Sequence, residues 1–304
     1  MKEINIVYPP HQGEDVFRFK NENGIVHMSS QRRPEKINVF INSTLSSEPG
    51  DSTLILEPVV VNACDYNFEN LKRFRKIFGF AEQAYSTNDE IKNKLVKINY
   101  PSTLYKRDCG ELKEFIKPFD HRTTKVCIVA NNHPATHEAS IYSLRVALAD
   151  FLYNNGIDIK WYGAFPLKKP YYKGPIKSKF EALSNAKFTI CSENTYHPIY
   201  SENYLTEKMP DAWMSAAVPI YMGCYNIDDF KLPPNMYIDL RKYVKIKNKD
   251  NFIIDPELIN VILGYNQKKY NDYISALVSN MQSENSFANL INYENVFAKM
   301  IEVL

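Results

Sequence analysis

The chain has 304 residues, 44% hydrophobic and 24% charged, with 37 basic against 35 acidic residues for a formal net charge of +2. This is the balance of a globular protein long enough for two domains with cores of their own. It argues against a nucleic-acid binder, and no run of about 18 apolar residues is present to span a membrane. Cys64, Cys109, Cys127, Cys191 and Cys224 are scattered and odd in number, without CxxC spacing, which predicts reduced thiols. The apolar part of the first eight residues is too short for a signal peptide, so a cytoplasmic location is expected.

In chain order, residues 4–8 read as a strand stopped by Pro9-Pro10, and strands follow at 37–41 and 53–56. Residues 67–79 read as a helix with Leu71, Phe74, Ile77 and Phe78 on one face and a basic opposite side. Such a helix packs on a core or touches a membrane surface. A short strand is expected near Ala84, and residues 115–124 read as a linker. The second half opens on an apolar strand at 125–130. A helix follows with Ile141, Leu144, Leu148 and Phe151 in register, and a strand at 157–161 completes a βαβ unit. Another helix is expected at 176–186, a strand at 236–240, and an amphipathic helix at 287–304 that packs on the domains. The lysines between Tyr243 and Asp250 read as a solvated face.

The most informative stretch is 187–223, which reads strand, polar loop, helix, strand. In open α/β sheets ligands bind beyond the carboxyl ends of strands, where this loop must lie. Lys208 stands at the start of the helix and adds an ammonium to its positive end. Thr206 is a candidate N-cap. Glu193, Asn194 and Glu207 can bond sugar or ribose hydroxyls, and Tyr204 supplies a ring and a hydroxyl. No GxGxxG, P-loop or GxSxG motif occurs. His133 and His137 have i, i+4 spacing but Pro134 lies between them, and no Asp-x-Asp is present, so no metal is required of this site.

The stretch from Phe188 to Gly223 resembles the donor-site signature of the α-1,3/1,4-fucosyltransferase family, glycosyltransferase family 10. The likeness rests on Glu193-Asn194, Tyr204-Leu205-Thr206-Glu207-Lys208, Val218-Pro219 and Gly223 in that order. A looser likeness reaches back to Lys125, with Asn131-Asn132 where the family has Ser-Asn and Trp161-Tyr162-Gly163 where it has a strand ending in Tyr-Gly. The resemblance implies an α/β, GT-B fold of two Rossmann-like domains facing a central cleft. Residues 1–120 would form the acceptor side and 121–280 the nucleotide-sugar donor domain, with 281–304 the closing helix. It implies inverting transfer of fucose from GDP-fucose to a hydroxyl of a glycan acceptor such as a surface oligosaccharide, a divalent cation being at most stimulatory.

On that reading Lys208 matches the family's diphosphate lysine and Glu207 the donor-site glutamate. Glu193, Asn194, Tyr204, Thr206 and Asn132 complete the donor side. The chain departs from the pattern in three places. The loop 194–204 is several residues longer, so Tyr200 competes with Tyr204. At the family's helix-start arginine stands Ala139 or His137, and Arg145 lies further along. In the first half only Leu56-Glu57-Pro58 is similar to the family's Glu-Ser-Pro. Glu57 follows a strand and is the first candidate for the catalytic base, ahead of Asp65 and Glu14. The alternatives are a transferase of the same fold with another nucleotide-sugar donor, or a non-catalytic nucleotide-sugar-binding protein.

Overall fold

The computed structural model describes residues 1–7, 16–42, 48–100, 112, 114–133, 136–283, 286 and 292–304. Glu14 lies outside the described residues, as do Phe287, Leu290 and Ile291 of the expected last helix.

The first half is built on seven strands: β1 (Lys2–Val7), β2 (Val16–Lys20), β3 (Gly24–Ser29), β4 (Ile37–Ile41), β5 (Ser52–Leu54), β6 (Ile77–Gly79) and β7 (Leu95–Lys97). They form one sheet in the order β2-β3-β1-β4-β5-β6-β7. Only β2 runs antiparallel to its neighbour. Ile4, Ile6, Val39, Leu54 and Phe78 are buried in its core. Three central strands also carry buried polar residues that satisfy one another. The Ser29 hydroxyl donates to Asn5 Oδ1 (2.8 Å) and Asn5 Nδ2 to Asn38 Oδ1 (3.0 Å). These interruptions of the apolar runs hide β3 from a hydropathy reading.

The helix expected over 67–79 is not formed. Asn67 caps a single turn, α1 (Phe68–Leu71), by accepting from Glu69 N and Asn70 N. The chain then turns, and Ile77–Gly79 becomes β6 between β5 and β7. Leu71, Phe74 and Ile77 are buried as a helical stripe would be, and a short apolar run does not separate helix from buried strand. The basic membrane-facing helix is therefore absent. The strand expected at Ala84 is instead a 3-10 turn, Glu82–Tyr85, preceding α2 (Asp89–Lys94).

The second half carries β8 (Thr124–Val129), α3 (Tyr142–Asn154), β9 (Ile159–Tyr162), β10 (Tyr172–Gly174), α4 (Lys179–Ser184), β11 (Ala186–Ser192), α5 (Lys208–Met214), β12 (Val218–Met222) and β13 (Ile238–Asp239). Its six strands are all parallel, in the order β10-β9-β8-β11-β12-β13. A hairpin, β14 (Val244–Asn248) with β15 (Asn251–Ile254), and the helices α6 (Glu257–Leu263) and α7 (Gln267–Met281) complete this unit. Residues 115–124 are not a free linker. Phe119 is buried in the second core. The buried Arg122 guanidinium donates to the carbonyls of Ser184, Ala186 and Ser215.

The chain then returns to its start. Helix α8 (Tyr293–Val303) buries Val296, Phe297, Met300 and Ile301 on the first sheet. Lys2 Nζ donates to Ile301 O at 2.7 Å. The apolar stripe of this helix is thus spent on packing. Among the described residues no helix is long and apolar enough to cross a membrane.

Candidate active site in the interdomain cleft

Both sheets reverse strand order at a switch point, between β1 and β4 in the first and between β8 and β11 in the second. Crevices open at the carboxyl ends there. A cavity of about 730 Å³ joins the two halves. The first half contributes Glu57, Val60 and Val61, all beyond β5. The second contributes Asn131 beyond β8, Tyr162 to Ala164 at the end of β9, and Asn194 beyond β11. Arg145 on α3, Lys179 on α4, and Glu207 with Lys208 at the start of α5 complete the wall.

Lys208 is held by a buried carboxylate. Glu193 Oε2 accepts from Lys208 Nζ (2.9 Å) and from Thr206 Oγ1 (2.7 Å), while Oε1 accepts from Thr206 N (2.9 Å). Glu193 is 0% exposed, so it anchors the lysine from behind and does not face the cavity. The strand after α5 must leave room for it. A Cβ on Gly223 would lie 2.1 Å from Glu193 Cγ, which only glycine avoids. Thr206 does not cap α5, because its hydroxyl is committed to Glu193 and Glu207 occupies the cap position without a side-chain cap bond. The helix still starts there. Pro210 falls in its first turn, where a missing N–H leaves no ladder bond unmade.

Arg145 lies in the first turn of α3, because the helix begins at Tyr142 and the segment before it is loop. The loop is fixed by pairing: Ser140 bridges to Thr195 and Ile141 N donates to Asn194 O (3.1 Å). The Arg145 guanidinium donates to Ser192 O (2.7 and 3.0 Å), Asn131 O (3.0 Å) and Asn194 Oδ1 (2.8 Å). A guanidinium has five N–H donors, so these four bonds orient the group and leave a fifth N–H on a residue that lines the cavity. Burial pulls its pKa down from the ordinary value.

The two cleft carboxyls sit in opposite environments. Burial pushes Glu57 up to about 7, against the pull of Lys208 and with help from the charges of Glu207, Asp65 and Glu193. Burial also works against Glu207, but Lys208 and then Lys179 overcome it and hold that carboxyl down at about 2. For Lys208, burial disfavours the charge, and Glu193 with Glu207 more than restores it, above the usual lysine value. Lys179 is itself ion-paired with the buried Asp211, whose carboxyl burial raises to about 6 against that lysine. One carboxyl poised near neutrality beside one held ionised is the pattern of an acid-base site.

Of the residues expected from the sequence, Glu57, Arg145, Asn194, Glu207 and Lys208 meet at the cavity. Glu193 and Thr206 lie directly behind. Asn132 is not part of the wall; its neighbour Asn131 is, with Oδ1 accepting from Ala164 N (2.7 Å). Tyr204 is not part of the wall either. It is 1% exposed, its ring packs against Phe80 at 5.0 Å, and its hydroxyl accepts from Asn194 Nδ2 (3.2 Å). It supports Asn194 and does not face the cavity. Tyr200 lies outside the cavity as well, against Tyr66 and His137. Asp65 is fully buried and accepts from Asn62. Sequence reasoning passed over Tyr142 and Lys179. The second carries a signal, a lysine opening a helix capped by Ser178.

The loop 194–204 also holds the halves together. Glu202 pairs with Lys97 (3.2 Å) and accepts from Gln83 N (3.3 Å), and Asn203 Nδ2 donates to Phe80 O (3.1 Å). Asn203 reaches this position at φ 56°, a left-handed conformation that asparagine tolerates.

A family model described as Glycosyltransferase family 10 (fucosyltransferase) C-term matches residues 119–275, more than half of the chain. The chain is 25% identical over 272 residues to the α-(1,3)-fucosyltransferase FucT of Helicobacter pylori, covering 79% of this chain and 53% of the relative. It is 44% identical over 62 residues to an α-(1,4)-fucosyltransferase of Arabidopsis thaliana, 20% of this chain and 14% of the relative. The chain thus spans about half the length of the first relative and a smaller part of the second. Among solved structures it is similar to an α1,3-fucosyltransferase, with TM-score 0.55 at 17% identity over 100% of this chain and 90% of that one. It is also similar to an α-glucosyltransferase in complex with UDP, with TM-score 0.56 at 9% identity over 99% and 100%. Those likenesses show the fold, which is GT-B. The matched segment holds Arg145, Asn194, Glu207 and Lys208 in one wall of the cleft, and the chain belongs to glycosyltransferase family 10, the fucosyltransferase family.

Proposed function

We propose that the chain transfers fucose from GDP-fucose to a hydroxyl of a glycan acceptor, with inversion at the anomeric carbon. The observation that carries this reading is the pair of opposed groups across the cleft: a Glu57 carboxyl near pKa 7 on one side and the Lys208 and Arg145 cations on the other. The family and the names of the relatives support fucose as the sugar.

In this reading the diphosphate lies against Lys208 and the remaining Arg145 donor. Glu57 takes the proton of the acceptor hydroxyl as its oxygen bonds to the anomeric carbon. The bond from that carbon to the diphosphate oxygen breaks on the opposite face, and GDP leaves with the electron pair. Positive charge builds on the sugar in the transition state, and the ionised Glu207 stabilises it. Lys208 and Arg145 neutralise the leaving group, so a divalent cation would add to their charge without replacing them. The acceptor is a surface oligosaccharide or glycoconjugate met in the cytoplasm.

The test is thermal stabilisation and slow donor hydrolysis across a panel of GDP- and UDP-sugars. GDP-fucose is expected to stabilise the protein most, and Lys208→Ala to lose most of that stabilisation. No shift with any nucleotide sugar would sink the proposal; a larger shift with a UDP-sugar would replace the donor.

A further inference from the structure

An acceptor whose hydroxyl loses its proton to Glu57 must lie beside Glu57 and outside the space the donor fills, and Tyr66 is a side chain placed there. Its hydroxyl donates to Glu57 O at 3.3 Å, and it is not part of the cavity wall. Burial pushes its hydroxyl far up, so it stays a neutral donor.

Tyr66 does not stand alone. One side of it stacks on Tyr85, with centroids 5.5 Å apart and planes 12° from parallel. Across the cleft, Tyr200 meets it edge-on at 5.7 Å. Tyr200 in turn contacts His137 at 5.5 Å and His197 at 4.9 Å. Burial lowers the His197 pKa, which leaves its ring neutral at neutral pH. The rings of Tyr66, Tyr200, His137 and His197 are half-buried, and two aliphatic residues close to them in sequence are exposed, Val61 at 44% and Ile199 at 38%. Val61 also lines the cavity.

A half-exposed cluster of rings suits a ligand with one apolar face and polar edges. A pyranose with its C–H bonds on one side has that character. The rings come from both halves, Tyr66 from the first and the others from the second. Tyr200 and His197 are carried on the lengthened loop 194–204. The surface therefore exists only while the two domains are apposed.

We infer that Tyr66, Tyr200, His137 and His197 form an acceptor subsite, on which the apolar face of the acceptor's pyranose rests while its hydroxyl reaches Glu57. This rests on the transferase reading given above, and it adds the residues and the ligand chemistry of the acceptor side.

The test uses methyl β-D-galactopyranoside, whose C3, C4 and C5 hydrogens share one face, and saturation-transfer NMR on the full chain without any donor. Saturation is expected to concentrate on those three hydrogens. It should fall about tenfold in Tyr200→Leu, which keeps bulk but no ring, and persist in Tyr200→Phe. No transfer in the wild type, equal transfer in Tyr200→Leu, or saturation spread evenly over the sugar would overturn the inference. Loss of GDP-fucose binding in Tyr200→Leu would return Tyr200 to the donor and overturn it too. The donor reading fails separately, when GDP-fucose does not bind the wild type, whatever the galactoside does.

Discussion

Glu57 is the residue on which activity and stability pull in opposite directions. Its carboxyl is raised to about 7 in the fold, from an ordinary 4.5, chiefly by burial. The folded state therefore holds the proton more tightly than the unfolded chain. Stability contributed by the protonated form is complete below pH 4.5, declines through the window from 4.5 to 7, and is gone above it. The ionised carboxylate is also the form that can take a proton. Transfer is thus expected to rise with pH to a plateau above pH 7, with its midpoint near the Glu57 value. Glu57→Gln should abolish most transfer, with donor binding little changed. It should also raise the melting temperature at pH 8 more than at pH 5, by the equivalent of up to about 3 kcal/mol. A pH series of melting curves for both proteins checks this; equal shifts at the two pH values would show that Glu57 is not perturbed.

At the same scale, the sequence told more about charge than about direction. A Thr-Glu-Lys at a helix start is common as plain capping, so Glu207 and Lys208 were legible as cleft residues only through their position beyond a strand and opposite Glu193-Asn194. Glu193 was legible as a participant, but only the fold shows it fully buried behind Lys208. Tyr204 was legible as a participant in the same way, and only the fold shows its hydroxyl accepting from Asn194.

At the scale of elements, the second half was readable because its parallel strands carry unbroken apolar runs, as in 126–129 and Val218–Met222. The first half was not. Asn5, Ser29 and Asn38 place polar residues where apolar ones are expected, and β6 offers only three residues that also continue a helical stripe. The loop 194–204 was noticed for its length, whereas its bridging role depends on partners more than ninety residues away in sequence, such as Gln83 and Lys97 (separations 119 and 105). Asn203 tests that role. Asn203→Ala removes the buried bond to Phe80 O and the one accepted from Asn226 Nδ2, and puts alanine, which lacks asparagine's tolerance of the left-handed region, at φ 56°. The expected loss is about 2–4 kcal/mol from an unsatisfied carbonyl and the left-handed backbone together. Asn203→Gly should recover about 1 kcal/mol of it, because the backbone term vanishes and the bonds do not return. Urea unfolding of the three proteins measures both steps. Equal stability of the alanine and glycine variants would show that the turn is not held at positive φ.

Over the whole molecule, two cores share one chain. The first core includes Ile4, Val39, Phe78 and α8, and the second includes Trp161, Phe188, Trp213 and Tyr273. Among the described residues, the hydrogen bonds and ring contacts that cross between them run through Tyr200, Glu202, Asn203 and Tyr204. Such a junction does not force the cores to unfold as one. In the proposed donor pose GDP alone would offer its phosphates to Lys208 and Arg145, both held by the second core, and would have no sugar to present to Glu57. Calorimetry is therefore expected to show two transitions, with GDP raising the second core's and leaving the other where it was. At a GDP concentration of about 100 times Kd the stabilisation is about 2.7 kcal/mol. Lys208→Ala should remove most of that shift while the first core's transition stays put. A single transition that moves as a whole with GDP would mean that the loop couples the domains more tightly than its few contacts imply, and that the cleft is closed before the donor arrives.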